Sequence, residues 1–385
     1  MGLIAVFDLL SHEAMHLPFN EGYLRMLRVA FPQDDIEFFA RPGHVAALQG
    51  CFAASDRITF QPIPPFTPAF GLSRHNPIGG RVGAWRCWQA MRKALGGRTP
   101  RLAALLGVEA NLLAVLRRVW PEDVALHMIL HNHLAETISW RSRNPAISAF
   151  DLTAGLRRKL PGRMRYIALE LGIREALAEY APATTGCTEV LEHPILGGEW
   201  CDTKDLAPDE PLRIGFLGHA SRSKGFGYFV DWATAHASPM LEFHAIGIAS
   251  PEALAMDQTA LTRKATAGSV PRPEYVAALA PCHMVCLPLP QGYRTIASGS
   301  VIDAIAGLKP ILCYRNDAYA ALQAKYGEFG FMADDITSLG ARMANLDRAW
   351  YLANRATWDA SLRRIRSARL PENLAPGYRG IVEAG

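Results

Sequence analysis

The chain has 385 residues, half of them apolar, which is enough for two ordinary domains, each with its own core. Forty basic against thirty-six acidic side chains leave a formal charge of +4, too small to indicate a nucleic-acid partner. Seven cysteines, an odd number without Cys-x-x-Cys spacing, argue against both a disulfide framework and a zinc cluster.

The chain opens with a strand-like run at residues 3–10, a polar loop, and a helical pattern over 20–30 that Asn20 is placed to cap. The opening run is short, and Asp8, His12 and Glu13 follow it at once, so it does not read as a signal peptide. No stretch reaches the ~20 apolar residues of a membrane span. These features predict a cytoplasmic protein, at most peripheral at the inner face of a membrane.

Further β-rich runs at 36–40, 57–63, 124–131, 165–169 and 189–193 alternate with helical stretches at 81–95 and 101–119. Alternation of this kind predicts a parallel sheet covered by helices. Residues 194–211 are rich in glycine, proline and acidic side chains, the composition of a linker. A second α/β set follows, with strands at 213–218, 241–247, 284–289 and 310–314 and helices at 225–235, 273–280 and 298–306. The predicted architecture is two Rossmann-like, doubly wound domains facing a central cleft. The first spans 1–200 and the second 201–345, with a helical segment, 346–385, packing back toward the first. Ligands of such sheets bind beyond the carboxyl ends of the strands, so the loops there hold the candidate sites.

The loop after the first strand of the second domain reads Gly-His-Ala-Ser-Arg-Ser-Lys-Gly, from Gly218 to Gly225, and runs into a helix. Glycine permits close backbone approach, the helix start favours an anion, and Arg222 and Lys224 add full charge. A phosphate or diphosphate suits that loop; a solvated turn with two surface cations is the competing reading. Later comes a buried strand, a Pro-rich polar loop carrying Tyr293 and Arg294, and a helix beginning at Ser298, Gly299 and Ser300. Hydroxyls and free amides at a helix start form a second anion site, or simply cap the helix.

The ordered pair, Gly-x-x-x-x-x-Lys-Gly and then Asp-Ala-x-x-Gly-x-Lys-Pro-Ile from Asp303, resembles the donor domain of retaining GT-B glycosyltransferases of family four, the glycogen-synthase-like type. The resemblance implies that Lys224 contacts a donor diphosphate; Arg222, further along the loop, is a candidate to substitute for the family's arginine. It also implies that Gly218, His219, Tyr293, Arg294, Ser298, Gly299 and Ser300 hold sugar and phosphate, and that Asp303 meets the ribose. The chain departs from the family in two places. His219 stands where an arginine usually follows the glycine, and Thr295 replaces the first of two carboxylates of which Asp303 is the second. Residues 268–275 occupy the place of the nucleobase, which the family holds largely through backbone groups.

On the amino-terminal side, His12, Glu13 and His16 follow the first strand and are candidates for acceptor-side contacts. His131 and His133 sit at the end of another strand, where the resemblance places a histidine on the donor sugar, and Glu136 lies close behind. Their spacing lacks the His-x-x-x-His of zinc hydrolases. GT-B enzymes generally use no bound metal, so neither metal nor cofactor is expected beyond the nucleotide sugar as substrate. Between these loops, residues 81–95 interleave basic side chains with Trp85 and Trp88, a pattern of either an interfacial helix or a core helix with a basic outer face.

The predicted activity is hexosyl transfer from a nucleotide diphosphate sugar to a hydroxyl of a glycan or lipid-linked acceptor, in surface-polysaccharide or glycoconjugate synthesis. Lys224, Arg222 and His131 are its leading residues. The rivals are an inactive GT-B scaffold and a nucleotide-sugar 2-epimerase. An NAD-dependent oxidoreductase is disfavoured, because no Gly-x-Gly-x-x-Gly follows the first strand of either half.

Overall fold

The computed structural model describes residues 2–11, 15–64, 77–131, 134, 152–198, 200 and 205–384. The chain forms two compact units, Met1–Ile195 together with Arg369–Gly385, and Leu196–Ala368.

The first unit is built on seven parallel strands: β1 (Leu3–Asp8), β2 (Asp35–Ala40), β3 (Ile58–Pro62), β4 (Leu102–Leu105), β5 (Ala125–Leu130), β6 (Met164–Ala168) and β7 (Thr188–Val190). Their spatial order is β3-β2-β1-β4-β5-β6-β7. Helices α1 (Leu17–Ala30), α2 (Pro42–Gln49), α3 (Pro77–Leu95), α4 (Ala110–Val119), α5 (Leu152–Leu156) and α6 (Leu171–Tyr180) fall between the strands in sequence. The central strands are buried along nearly their whole length, which is why they read as continuous apolar runs rather than alternating ones.

Strand β4 corrects the sequence reading, which ran one helix through 101–119. The Leu-Ala-Ala-Leu of β4 favours helix by propensity, yet all four residues are fully buried between β1 and β5. Tertiary context overrides the preference there. Helix α4 starts only at Ala110, where the Glu109 carboxylate accepts hydrogen bonds from the amides of Asn111 (2.9 Å) and Leu112 (2.6 Å). Asn20 is a second correction, since α1 begins three residues earlier with Pro18 in its first turn. Asn20 is instead fully buried inside the helix, where its side-chain amide donates to Asp8 at 2.6 Å and lies 2.7 Å from His44 Nε2.

The second unit has five parallel strands: β8 (Leu212–Leu217), β9 (Leu241–Ile246), β10 (Met284–Cys286), β11 (Ile311–Tyr314) and β12 (Gly330–Ala333), in the order β12-β11-β10-β8-β9. Its helices are α7 (Phe226–His236), α8 (Pro251–Leu254), α9 (Arg272–Leu279), α10 (Gly299–Ala306), α11 (Asp317–Tyr326), α12 (Ile336–Ala344) and α13 (Arg348–Ala368). Phe226 and Phe229 of α7 pack on Phe216 of β8 at ring-centroid distances of 5.0 and 5.5 Å, fixing α7 against the sheet directly behind the Gly218–Gly225 loop. The strand order reverses between β8 and β10. In an open α/β sheet a ligand crevice opens at such a switch point, so the loops after β8 and β10 are brought to one place by topology.

After α13 the chain returns to the first unit as α14 (Pro371–Ala384). The Tyr378 hydroxyl of α14 hydrogen-bonds the Tyr23 hydroxyl and lies 2.8 Å from His127 Nδ1, all three groups buried.

Candidate functional site

In the second unit, Gly218 follows β8 in the left-handed region at φ 82°. A Cβ there would lie 2.4 Å from Ser300 Oγ and 3.9 Å from Lys224 Nζ, so three of the candidate residues converge on one bare Cα. The Ser300 hydroxyl donates to the Leu217 carbonyl at 2.9 Å, tying the first turn of α10 to the end of β8. The short turn Arg222–Lys224 then delivers Lys224, and Gly225 follows at φ 79°. A Cβ on Gly225 would come within 2.7 Å of Pro288, so the loop and the Pro-rich segment after β10 are pressed together. That segment is held in turn by the Tyr319 hydroxyl and the Asn316 side-chain amide, which donate to the carbonyls of Leu287 and Leu289.

Lys224 points its ammonium at the Tyr293 ring, 6.0 Å from the centroid. Burial holds its pKa below the ordinary lysine range, offset only in part by the field of Asp303. Among the described residues no hydrogen-bonding or ion-pair partner reaches it. A partly buried ammonium without such a partner is chemically suited to receive an anion. Arg222, by contrast, is exposed and lines a surface cavity of about 590 Å³ with Tyr228 and Asp231 on the outer side of α7. His219 is also exposed.

The start of α10 supplies the second component. Gly299 and Ser300 carry amides that an α-helix leaves without intrahelical partners, and the space over Gly299 is open. Neither serine caps the helix: Ser300 bonds Leu217, and Ser298 makes no side-chain cap bond. The hydroxyls of Ser298 and Thr295 are buried and have no hydrogen-bond partner among the described residues. Buried hydroxyls left so are costly unless something else meets them. Arg294 turns to Asp317 at the start of α11, 2.8 Å away, and that contact holds the Asp317 carboxyl below the usual carboxylate range.

Asp303, on α10, forms an ion pair with Arg272 at 2.9 Å, and the Arg272 guanidinium lies over the rings of Trp200 (4.8 Å) and Tyr275 (5.5 Å). Neither Arg272 nor Trp200 was singled out from the sequence. The Gly268–Tyr275 segment does contribute a charged side chain as well as backbone, and the Pro-Arg-Pro at 271–273 was the signal available.

In the first unit, the candidates His12, Glu13 and His133, with Glu136, lie outside the described residues. His16 and His131 are described and stack face to face, 4.2 Å between centroids. Phe19 and His193 meet His131 edge-on at 4.9 and 6.2 Å. His16 adopts a left-handed backbone, φ 56°, at the start of α1, a conformation rare outside glycine and found where tertiary contacts enforce it. His193 was not anticipated. It is buried with Nδ1 2.8 Å from the Pro194 carbonyl, and burial pushes its pKa down to about 3, so it is neutral. Beneath the loop after β1, one Asp8 oxygen accepts from the amides of Leu10 (3.2 Å) and Ser11 (2.9 Å) and the other from Asn20.

No protein-family model matches the chain, and no relative is found among curated proteins. Among solved structures, the chain is similar to HepE of Anabaena in complex with UDP, with a TM-score of 0.66 and 14% identity over 100% of both chains. HepE is also known in complex with UDP and glucose and with UDP-glucose. WaaG, a glycosyltransferase involved in lipopolysaccharide biosynthesis, aligns at a TM-score of 0.63 and 11% identity over 100% of both chains. The lipopolysaccharide outer core galactosyltransferase WaaB aligns at 0.61 and 10% identity over 99% of both. At such identities the likeness establishes the fold, which is that of the GT-B glycosyltransferases: two α/β units on parallel sheets of seven and five strands.

Proposed function

We propose that this protein is a glycosyltransferase that moves a hexose from a uridine diphosphate sugar to a hydroxyl of a glycan or lipid-linked acceptor, in surface-polysaccharide or glycoconjugate synthesis on the cytoplasmic side of a membrane. One observation carries the reading: Lys224 Nζ and the first turn of α10 converge on the bare Cα of Gly218, at the switch point of the second sheet. Uridine is taken from the ligands of HepE, and the family-four resemblance of the donor motif supports transfer with retention of anomeric configuration.

Cleavage of the glycosidic bond places negative charge on the departing diphosphate. The Lys224 ammonium and the Gly299 and Ser300 amides are assigned to that charge, with no metal ion taking part. Because the lysine is already desolvated, it gains more from an anion than a solvated lysine would. The buried Ser298 and Thr295 hydroxyls complete the donor contacts, Thr295 standing where relatives of this type carry a carboxylate. Asp303, oriented by Arg272, is assigned to the ribose, and Tyr293 covers the lysine. The acceptor is assigned to the first unit, near the stacked rings of His16 and His131.

Release of UDP from UDP-sugars, in the presence of EDTA and simple sugar acceptors, tests the assignment. Lys224→Ala should lower turnover by about 10²–10³-fold, the usual effect of losing one preorganised charge-stabilising donor, with the melting temperature unchanged. An unaltered rate in that variant would sink the assignment.

A further inference from the structure

Helix α3 lies in the first unit, and the reaction above makes no use of it. Its nineteen residues include four cations and no acidic side chain. At about 100° per residue, Gly80, Ala84, Cys87, Trp88, Met91 and Leu95 fall on one face and are buried. Ile78, Val82, Trp85, Arg86, Gln89, Arg92 and Lys93 fall on the opposite face and are exposed. The two tryptophans divide accordingly: Trp88 packs on Trp120 in the core at 5.6 Å, while Trp85 points outward.

The outer face is itself divided along the helix. Its first half is apolar, with Ile78 78% exposed, Val82 46% and Trp85 46%. Its second half is cationic, and Arg86, Arg92 and Lys93 have no ion-pair partner among the described residues. Beside that half opens a cavity of about 710 Å³ lined by Trp85, Trp88, Trp120, Arg92, Lys93 and Arg98, without a single acidic side chain. Arg98 alone is matched, by Glu37 at 2.7 Å. Thr99 and Pro100 before β4, and Val124 before β5, also line it and place it at the amino-terminal end of the strands. His16, His131 and His193 gather elsewhere in the first unit and take no part in this face.

We propose that the outer face of α3 docks on an anionic phospholipid bilayer, with Ile78, Val82 and Trp85 entering the headgroup–acyl boundary and Arg86, Arg92 and Lys93 meeting lipid phosphates. The charge is complementary, since among the described residues of α3 every unmatched ionic group on this face is a cation. An aromatic ring beside basic groups on an otherwise apolar stripe suits the interface rather than bulk water. The proposal stands apart from the transfer reaction, because vesicle binding is read without turnover.

Co-sedimentation of the full chain with vesicles of phosphatidylcholine, with and without about one third phosphatidylglycerol, tests it. Binding is expected only to the anionic vesicles and should weaken with added salt. Two independent double variants, Ile78→Ser with Trp85→Ser and Arg92→Glu with Lys93→Glu, should each reduce partitioning about tenfold or more at an unchanged melting temperature. Arg263→Glu with Lys264→Glu on the second unit changes net charge equally and should leave binding intact. Failure of the intact chain to bind anionic vesicles would overturn the proposal, as would an equal loss in the Arg263/Lys264 control. A lipid-free dimer that the Ile78/Trp85 variant dissociates would overturn it too, by giving the face to a second copy of the chain.

Discussion

Lys224 and Gly218 carry the proposed donor site at the scale of single residues. The glycine is required twice over: its φ of 82° is strained for any L side chain, and a Cβ would press on Ser300 Oγ at 2.4 Å. Gly218→Ala should therefore destabilise the protein by roughly 1–3 kcal/mol and weaken nucleotide binding together, because relief of the clash moves the α10 turn off the β8 carbonyl. Chemical denaturation and UDP titration of one variant check both effects; wild-type values in each would contradict them. Gly218, Lys224 and Ser300 were visible in the sequence because glycine, lysine and helix-start serine have local signatures. Their partners were not. Ser300 bonds a carbonyl 83 residues away and Asp303 pairs with an arginine 31 residues away, and no local pattern encodes such contacts. Arg222 and Lys224 looked equivalent in the loop, but folding leaves the first exposed and desolvates the second.

At the scale of elements, strands with β-branched or aromatic residues were legible and the Ala-Leu strand was not. β2, with Ile36, Phe38 and Phe39, stood out from its neighbours; β4, Leu-Ala-Ala-Leu, carried the wrong propensity and took its conformation from the strands on either side. Helix α14 adds a contact that only the fold creates, since Tyr378 meets groups 355 and 251 residues away. Tyr378→Phe strands the buried Tyr23 hydroxyl and His127 ring nitrogen and should cost about 1–3 kcal/mol of unfolding free energy. The same elements set a pH dependence. Burial depresses His127 and His193 from 6.5 to about 3, so the unfolded chain takes up protons below pH 6.5 that the folded chain refuses. Their contribution is complete above pH 6.5 and is lost as the pH falls toward 3, with a slope of up to ~1.4 kcal/mol per pH unit for each histidine. Urea unfolding at pH 7 and pH 5 should show the acid sample to be the weaker; equal stability would contradict the burial of these rings as neutral groups.

At the scale of the whole molecule, the alternation of strand and helix in the sequence was sufficient for the two α/β units, and the switch point explains why two motifs some 75 residues apart lie side by side. Where the chain re-enters the first unit, Arg369 is almost wholly buried. It clamps Glu170 through two bonds of 2.6 and 2.7 Å, lies 3.5 Å from Glu192, and accepts the Ile195 amide on its carbonyl. Arg369→Ala removes this buried cation from both carboxylates and should cost about 3–5 kcal/mol, read as a lowered melting temperature. The central claim, that the second unit holds a nucleotide diphosphate against Lys224, is tested most directly by calorimetric titration of UDP into the intact chain and into Lys224→Ala. Saturable binding that falls at least about tenfold in the variant, a loss of about 1.4 kcal/mol, is the expected result. Absence of UDP binding, or equal affinity in the two proteins, would contradict it.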